Sequence, residues 1–186
     1  MTATYFLSDL HLDHQGITKF RSGFESTEHH NAVIKENYHK VVRPNDTVIF
    51  GGDVAFSPEA LEDLKSWNGI KHIVLGNHDN AEYKRRGVSL DMLREVFGEN
   101  IFGFYRKYSY WFSHCPIHSD ELRGRYSVHG HLHSNLIDDP RYLNICMEHI
   151  DYTPISLEQI RAEFERRKPL IDSIEESEKY KHGIYY

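Results

Sequence analysis

Five short clusters stand in order along the chain: Asp9-Leu10-His11, Gly52-Asp53, Gly76-Asn77-His78-Asp79, Ser113-His114-Cys115-Pro116 and Gly130-His131-Leu132-His133. Carboxylate, imidazole and amide oxygen are donors that suit Mn, Fe, Zn or Ni better than Ca or Mg. In Asp9-x-His11 and in His131-x-His133 the i, i+2 spacing on an extended backbone puts both side chains on one side, so each pair can aim at one point. Taken together, Asp9, His11, Asp53, Asn77, His114, His131 and His133 are too many donors for a single ion with an open position. They suit two ions sharing a carboxylate, and a pair about 3.5–4 Å apart can clamp the attacking and leaving oxygens of an in-line displacement. Two divalent ions outweigh two carboxylates, so such a site attracts an anion such as a phosphate ester. The 14 histidines of the chain are a heavy investment in a residue suited to ligation and proton transfer. Gly52, Gly76 and Gly130 permit sharp turns or close backbone approach beside these groups.

These residues need elements to hold them, and the hydrophobic pattern supplies them. Thr4 to Leu7 reads as a buried strand ending at Ser8-Asp9, Thr47 to Phe50 as a second running into Gly51-Gly52-Asp53, and Ile70 to Leu75 as a third running into Gly76. Between them, an apolar stripe predicts a helix from about Ser26 to Val42, and Ser57-Pro58-Glu59 opens another with an N-cap, a Pro at the first helical position and an acid in the first turn. Ser89 caps a further helix that Gly98 stops. Strand composition returns at Phe102 to Phe112, Tyr126 to Val128 and Tyr142 to Cys146, and Ser156 to Gln159 is a capping box for a last helix reaching Arg167. The tail after about residue 169 has no clear periodicity. The early alternation predicts parallel strands, and the strand-rich later half predicts a second sheet with hairpins, the whole of 1–186 forming one domain. Polar clusters thus recur where α/β sheets gather ligands, at the C-terminal ends of strands.

In motif content and order, residues 9 to 133 resemble the calcineurin-like metallophosphoesterases, whose pattern is Asp-x-His, Gly-Asp, Gly-Asn-His-Asp or Glu, His, and Gly-His-x-His. The finer text, Ser8-Asp9-Leu10-His11 and Pro154-Ile155-Ser156-Leu157-Glu158, looks most like small prokaryotic and phage-type members. The resemblance implies an α/β fold, a four-layer αββα sandwich of two mixed sheets with a dinuclear metal site at the strand ends. It implies that Asp9, His11 and His133 hold one ion, that Asn77, His114 and His131 hold the other, and that Asp53 bridges them. His78 matches the catalytic histidine that is not a ligand, oriented by Asp79. The reaction implied is hydrolysis of a phosphate ester by attack of metal-bound hydroxide, with manganese the first choice of metal and iron, zinc or nickel the others. The short spacings from Asp53 to Asn77, His114 and His131 leave no room for a cap domain. An open site suits phosphodiesters, a nucleotide among them, and exposed phosphomonoesters; we expect a phosphodiesterase ahead of a phosphatase.

Composition narrows the field. The chain has 186 residues, 39% hydrophobic and 27% charged, in the ordinary globular range, and its apolar runs fall short of a membrane helix. Net charge is −6, which argues against an extended nucleic-acid surface. Two cysteines, Cys115 and Cys146, make no disulfide framework, and with no signal segment the expectation is a cytoplasmic protein with packed, reduced thiols. His118 and His129 compete with His114 for its place. Lys19, Arg21, Arg123, Arg125 and Arg141 are candidates for contact with a phosphate. The aromatic run from Phe104 to Phe112 can stack a base, although a strand pair packing against the core is the favoured reading. His11-Leu12-Asp13-His14 mimics part of the metallo-β-lactamase signature, but Asp at position 9 disfavours it. A non-catalytic scaffold of the same fold is the rival from another class, set against the retention of every ligand and of His78.

Overall fold

In the computed structural model, residues 2–79 and 88–182 are described, with side chains to 177. Strands β1 (Thr4–Leu7), β2 (Thr47–Phe50) and β3 (Ile70–Val74) alternate with helices α1 (Thr27–Val41) and α2 (Pro58–Lys65). There follow α3 (Leu90–Phe97), β4 (Ile101–Phe102), β5 (Tyr105–Lys107), β6 (Tyr110–Ser113), β7 (Tyr126–His129), β8 (Tyr142–Asn144), β9 (Ile155–Ser156) and α4 (Leu157–His182). Helix starts follow the expected caps: Ser26, Ser57 and Ser89 each accept a backbone N–H three residues on. At α4 the capping box is reciprocal, with Ser156 N–H donating to Gln159 Oε1 (2.8 Å) and Gln159 N–H to Ser156 Oγ (3.2 Å).

The first sheet has the order β4-β3-β2-β1-β9, parallel except for β9, and the second has the order β5-β6-β7-β8. Among the described residues only β5 and β6 form a hairpin, through Tyr108 and Ser109 in left-handed backbone; β6, β7 and β8 are parallel, which corrects the expectation of a second sheet with hairpins. Burial and side-chain alternation explain how the layers stack. Leu7, Val48, Phe50 and Ile73 face α1, α2 and α3 in one apolar cluster. Phe6, Ile49 and Val74 point the other way, toward Tyr110, Phe112 and Val128 of the second sheet, and the Phe6 and Phe112 rings stack at 4.5 Å between the sheets. Helix α4 closes this second cluster with Ile160, Phe164 and Ile171, and it continues through Pro169, where the sequence reading stopped. Residues 183–186 of that tail lie outside the described residues. Two mixed sheets with four helices are the α/β architecture that the resemblance implies.

Register decides where the polar clusters fall. Leu7 pairs with Phe50 and Phe50 with Ile73, so β1, β2 and β3 end level; Ser113, His129 and Asn144 are likewise in register. The two sheets meet just past these ends. Ser8 bridges to Cys146, with Ser8 N–H donating to Ile145 O (3.1 Å) and Met147 N–H to Ser8 O (3.2 Å).

Candidate metal centre

All seven candidate donors converge at this seam. His11 Nε2 lies 3.6 Å from Asp9 Oδ1 and 3.7 Å from Asp53 Oδ2, and His133 Nε2 lies 3.9 Å from Asp9 Oδ1. On the other flank, His114 Nε2 is 3.5 Å from Asp53 Oδ2, 2.9 Å from Asn77 Oδ1 and 3.2 Å from His131 Nδ1. Asp53 Oδ2 is therefore common to both groups. Of the competitors for the place of His114, His118 is exposed and accepts the Asp120 N–H, while His129 is buried with its Nδ1 against Gly130 O.

Proton placement shows that these atoms fit cations. Gly51 O can only accept, so His114 Nδ1 (2.9 Å away) carries the proton and Nε2 presents a lone pair to Asn77 Oδ1, itself an acceptor. His133 Nδ1 likewise donates to Glu148 Oε1 (3.1 Å), which leaves its Nε2 lone pair for the centre. Asp9 Oδ1 and His11 Nε2 are buried without a hydrogen-bond partner. Lone pairs facing one another at such distances cost free energy in a dry site, and a shared cation bonded at about 2.1 Å relieves it.

The backbone is built for convergence. Asp9, His11, Asp53, His131 and His133 all have φ between 49° and 69°, the left-handed region that costs non-glycine residues about 1–2 kcal/mol. The i, i+2 pairs thus lie on tight turns just past the strands and not on extended backbone, which corrects the sequence reading of how they aim. The turns are pinned from neighbouring loops: Asp9 N–H donates to Gly52 O (3.0 Å) and His11 N–H to Asp53 O (3.0 Å). Gly76 has no room for a side chain, because a Cβ there would collide with Asp53 Oδ1 and come within 2.6 Å of Asp53 N.

Charge follows the same geometry. Burial, against the pull of His114 and reinforced by Asp79 and Asp9, raises the Asp53 carboxyl to about 7. Burial also works to raise Asp9, but His11, the charge of His114, Ser8 and the His131 N–H together hold it well below the usual carboxylate range. Burial lowers His11 to about 4 despite Asp9. Closely packed carboxylates beside an imidazole that burial keeps neutral, as at His11, are the state a divalent cation favours.

His78 stands beside this group, its Nε2 3.8 Å from Asp53 Oδ2 and its N–H donating to Asp53 Oδ1 (2.7 Å). Asp79 was expected to orient the His78 ring. Its buried carboxylate instead accepts from Gly76 N–H (2.8 Å), Asp53 N–H (2.7 Å) and Val54 N–H (3.1 Å), so it ties the β2 and β3 loops together and fixes the backbone on which His78 stands. A cavity of about 320 Å³ opens alongside, with His11, His78 and His133 on one wall.

Several contributors escaped the sequence reading. Ser8 Oγ (2.6 Å) and the Cys146 thiol (3.2 Å) both donate to Asp9 Oδ2, leaving Oδ1 for the centre. Glu148 holds His133. Arg21, considered above as a phosphate contact, is buried: its guanidinium donates to Asp9 O (2.6 Å), Leu10 O (3.2 Å) and Glu148 Oε1 (2.9 Å) and meets His30 Nε2 at 2.8 Å. Arg141 pairs with Asp139, and Arg123 with Glu121. Cys115 is exposed, not packed, with its sulfur near the donor atoms of His114 and His131. In the aromatic run, Tyr110 and Phe112 pack in the inter-sheet cluster and Phe104 lies against Trp111; none lines the cavity beside the centre. Among the described residues no helix is long and apolar enough to cross a membrane.

The chain is 30% identical over 181 residues to an uncharacterized protein of Methanocaldococcus jannaschii, an alignment spanning 90% of this chain and 94% of that protein. It is 33% identical over 91 residues to the gene 66 protein of Mycobacterium phage L5, spanning 46% of this chain and 44% of the phage protein. Among solved structures, a protein of unknown function from Aquifex aeolicus superposes with a TM-score of 0.67 at 26% identity, covering 87% of this chain and 99% of its own. Residues 3–177 match the family model described as calcineurin-like phosphoesterase. The chain therefore belongs to the calcineurin-like phosphoesterase family, whose shared chemistry is the metal-dependent hydrolysis of phosphate esters.

Proposed function

We propose that this protein hydrolyses phosphodiesters with two divalent transition-metal ions, manganese first among them. The observation that carries the reading is the convergence of six lone-pair donors, three on each flank, about one carboxylate oxygen, Asp53 Oδ2. Asp9, His11 and His133 would hold one ion, Asn77, His114 and His131 the other, and Asp53 both. Such ions, when bound, would withdraw charge from the phosphoryl group and make a water molecule more acidic.

The chain's own groups do the rest. His78 stands at the cavity wall, partly exposed, where its Nε2 can give a proton to the departing ester oxygen. Asp79 is a positioning residue, acting through the Gly76, Asp53 and Val54 amides. Diester chemistry is favoured by shape: the cavity beside His11 and His133 takes one ester substituent, and the exposed flank at Asn77 and His131 leaves room for the second. The test is hydrolysis of bis-p-nitrophenyl phosphate against p-nitrophenyl phosphate by metal-stripped protein titrated with Mn²⁺, Zn²⁺, Ni²⁺ and Mg²⁺. Faster metal-dependent turnover of the diester is expected, and monoester preference would move the assignment to phosphatase. His78→Ala should keep both ions yet lose about 10²–10⁴-fold in turnover; undiminished activity would sink the role given to His78.

A further inference from the structure

The cavity beside the centre has a second wall that hydrolysis does not require. Phe20 is 78% exposed, and it stands at the cavity mouth beside Ile17 and His14. The Phe20 and His14 rings are nearly parallel (14°, centroids 6.3 Å apart), and His14 continues onto Phe56 at 4.5 Å. His14 and Phe20 thus present two nearly parallel rings to the cavity, while Phe56, buried and outside the cavity lining, packs on His14 and on the His11 and His78 rings. Glu148 also lines the cavity; its Oε1 is taken by Arg21 and His133, and its Oε2 is buried without a hydrogen-bond partner.

From this we infer that the cavity seats the base and sugar of a nucleoside joined to the scissile phosphate, with Phe20 as the residue that determines specificity. The inference rests on the phosphodiesterase reading for what the phosphate does, and on the cavity for what is attached to it. Three features select this class. The paired His14 and Phe20 rings reward a planar π-system over an alkyl chain. The Glu148 charge beneath the cavity surface repels a second phosphate or an acidic peptide. At about 320 Å³, the space is at the small end for ligand pockets, enough for one nucleoside and too little for a folded partner.

The experiment is calorimetric titration of the manganese-loaded protein with adenosine 5′-monophosphate and, separately, with methyl phosphate, which carries the same phosphate without base or sugar. The nucleotide should bind at least about tenfold more tightly. Phe20→Ala should lose about tenfold in affinity for the nucleotide, and Phe20→Trp should restore it; because Phe20 is so exposed, neither change disturbs the core. In the zinc-loaded protein, whose ions are diamagnetic, nuclear Overhauser contacts from the adenine protons to the Phe20 ring should accompany binding. Equal affinities for the two ligands, or nucleotide binding unaltered in Phe20→Ala, would overturn the inference. Binding needs no turnover, so the two readings fail separately: a nucleotide preference that depends on Phe20 without diester hydrolysis would refute only the activity, and diester hydrolysis without that preference would refute only the nucleoside site.

Discussion

Glu148 offers the sharpest test of how the centre is held, because one carboxylate oxygen serves both the buried Arg21 and the partly exposed His133. It accepts from Arg21 Nε at 2.9 Å and from His133 Nδ1 at 3.1 Å, and the Arg21 side chain is fully buried. Burial works to raise the Glu148 carboxyl, yet the His133 hydrogen bond and the Arg21 charge outweigh it and bring it from 4.5 down to about 2. A folded-state value below the unfolded one adds stability that is present above pH 4.5 and is lost as pH falls toward 2. That depression corresponds to about 3 kcal/mol, in line with the ~3–5 kcal/mol cost of removing one partner of a buried pair. Glu148→Gln keeps an acceptor but removes the charge, so at neutral pH it should lower the melting temperature by about 6–12 °C. The gap from wild type should narrow as the acid limb is entered.

The same carboxylate sets the tautomer of His133. Glu148→Ala, which removes the acceptor altogether, should weaken one of two manganese ions about 10–100-fold. The ion expected on Asn77, His114 and His131 should keep its affinity, since none of those side chains touches Glu148 in the hydrogen bonds described above. Calorimetric titration resolves the two events, and loss of the spin-coupled two-manganese resonance signal reports the same change independently. Unchanged melting in Glu148→Gln together with two undisturbed ions in Glu148→Ala would refute the reasoning.

Removing metal with a chelator should lower the melting temperature by about 5–11 °C relative to protein in a hundredfold excess over the dissociation constant, because Asp9, Asp53 and Asp79 then lose their counter-charge; equal melting curves would show that the cluster does not bind the ion tested. Gly76→Ala forces a Cβ onto Asp53 N and should cost about 1–3 kcal/mol and both metals, whereas Gly103→Ala, where a Cβ meets nothing within 4 Å, should be neutral in the same denaturation assay. Ile171→Ala should cost about 2–5 kcal/mol in urea unfolding, since Ile171 is fully buried in the inter-sheet cluster; a neutral result would mean that α4 does not dock past Pro169.

What could be read from sequence, and what could not, divides by the range of the interaction responsible. Caps at Ser26, Ser57, Ser89 and Ser156 act within three residues, so the helix starts were legible. Pro169 misled, because tertiary burial of Ile171 two residues later outweighs the local cost of proline within a helix. Tyr108-Ser109 carries none of the Asn-Gly chemistry of a two-residue turn, so the β5–β6 hairpin was written only in the pairing of its strands. The left-handed φ of Asp9 and His11 is imposed by Gly52 O, Asp53 O and the Arg21 guanidinium, partners from other segments of the chain.

Glu148 and Cys146 lie outside any local motif, yet one rule already in use reaches them. Parallel strands end in polar residues aimed at a ligand, and β8 is parallel to β7 and level with it. Its continuation, Ile145-Cys146-Met147-Glu148, is therefore a further strand end at the same rim, and the Ser8–Cys146 bridge lays it against Asp9. An expectation of hairpins in the second sheet leaves the direction of Tyr142 to Cys146 open, and with it which end of that strand meets the rim. The parallel direction of β8 decides it, and the hydrogen bonds of Cys146 to Asp9 and of Glu148 to His133 follow from it.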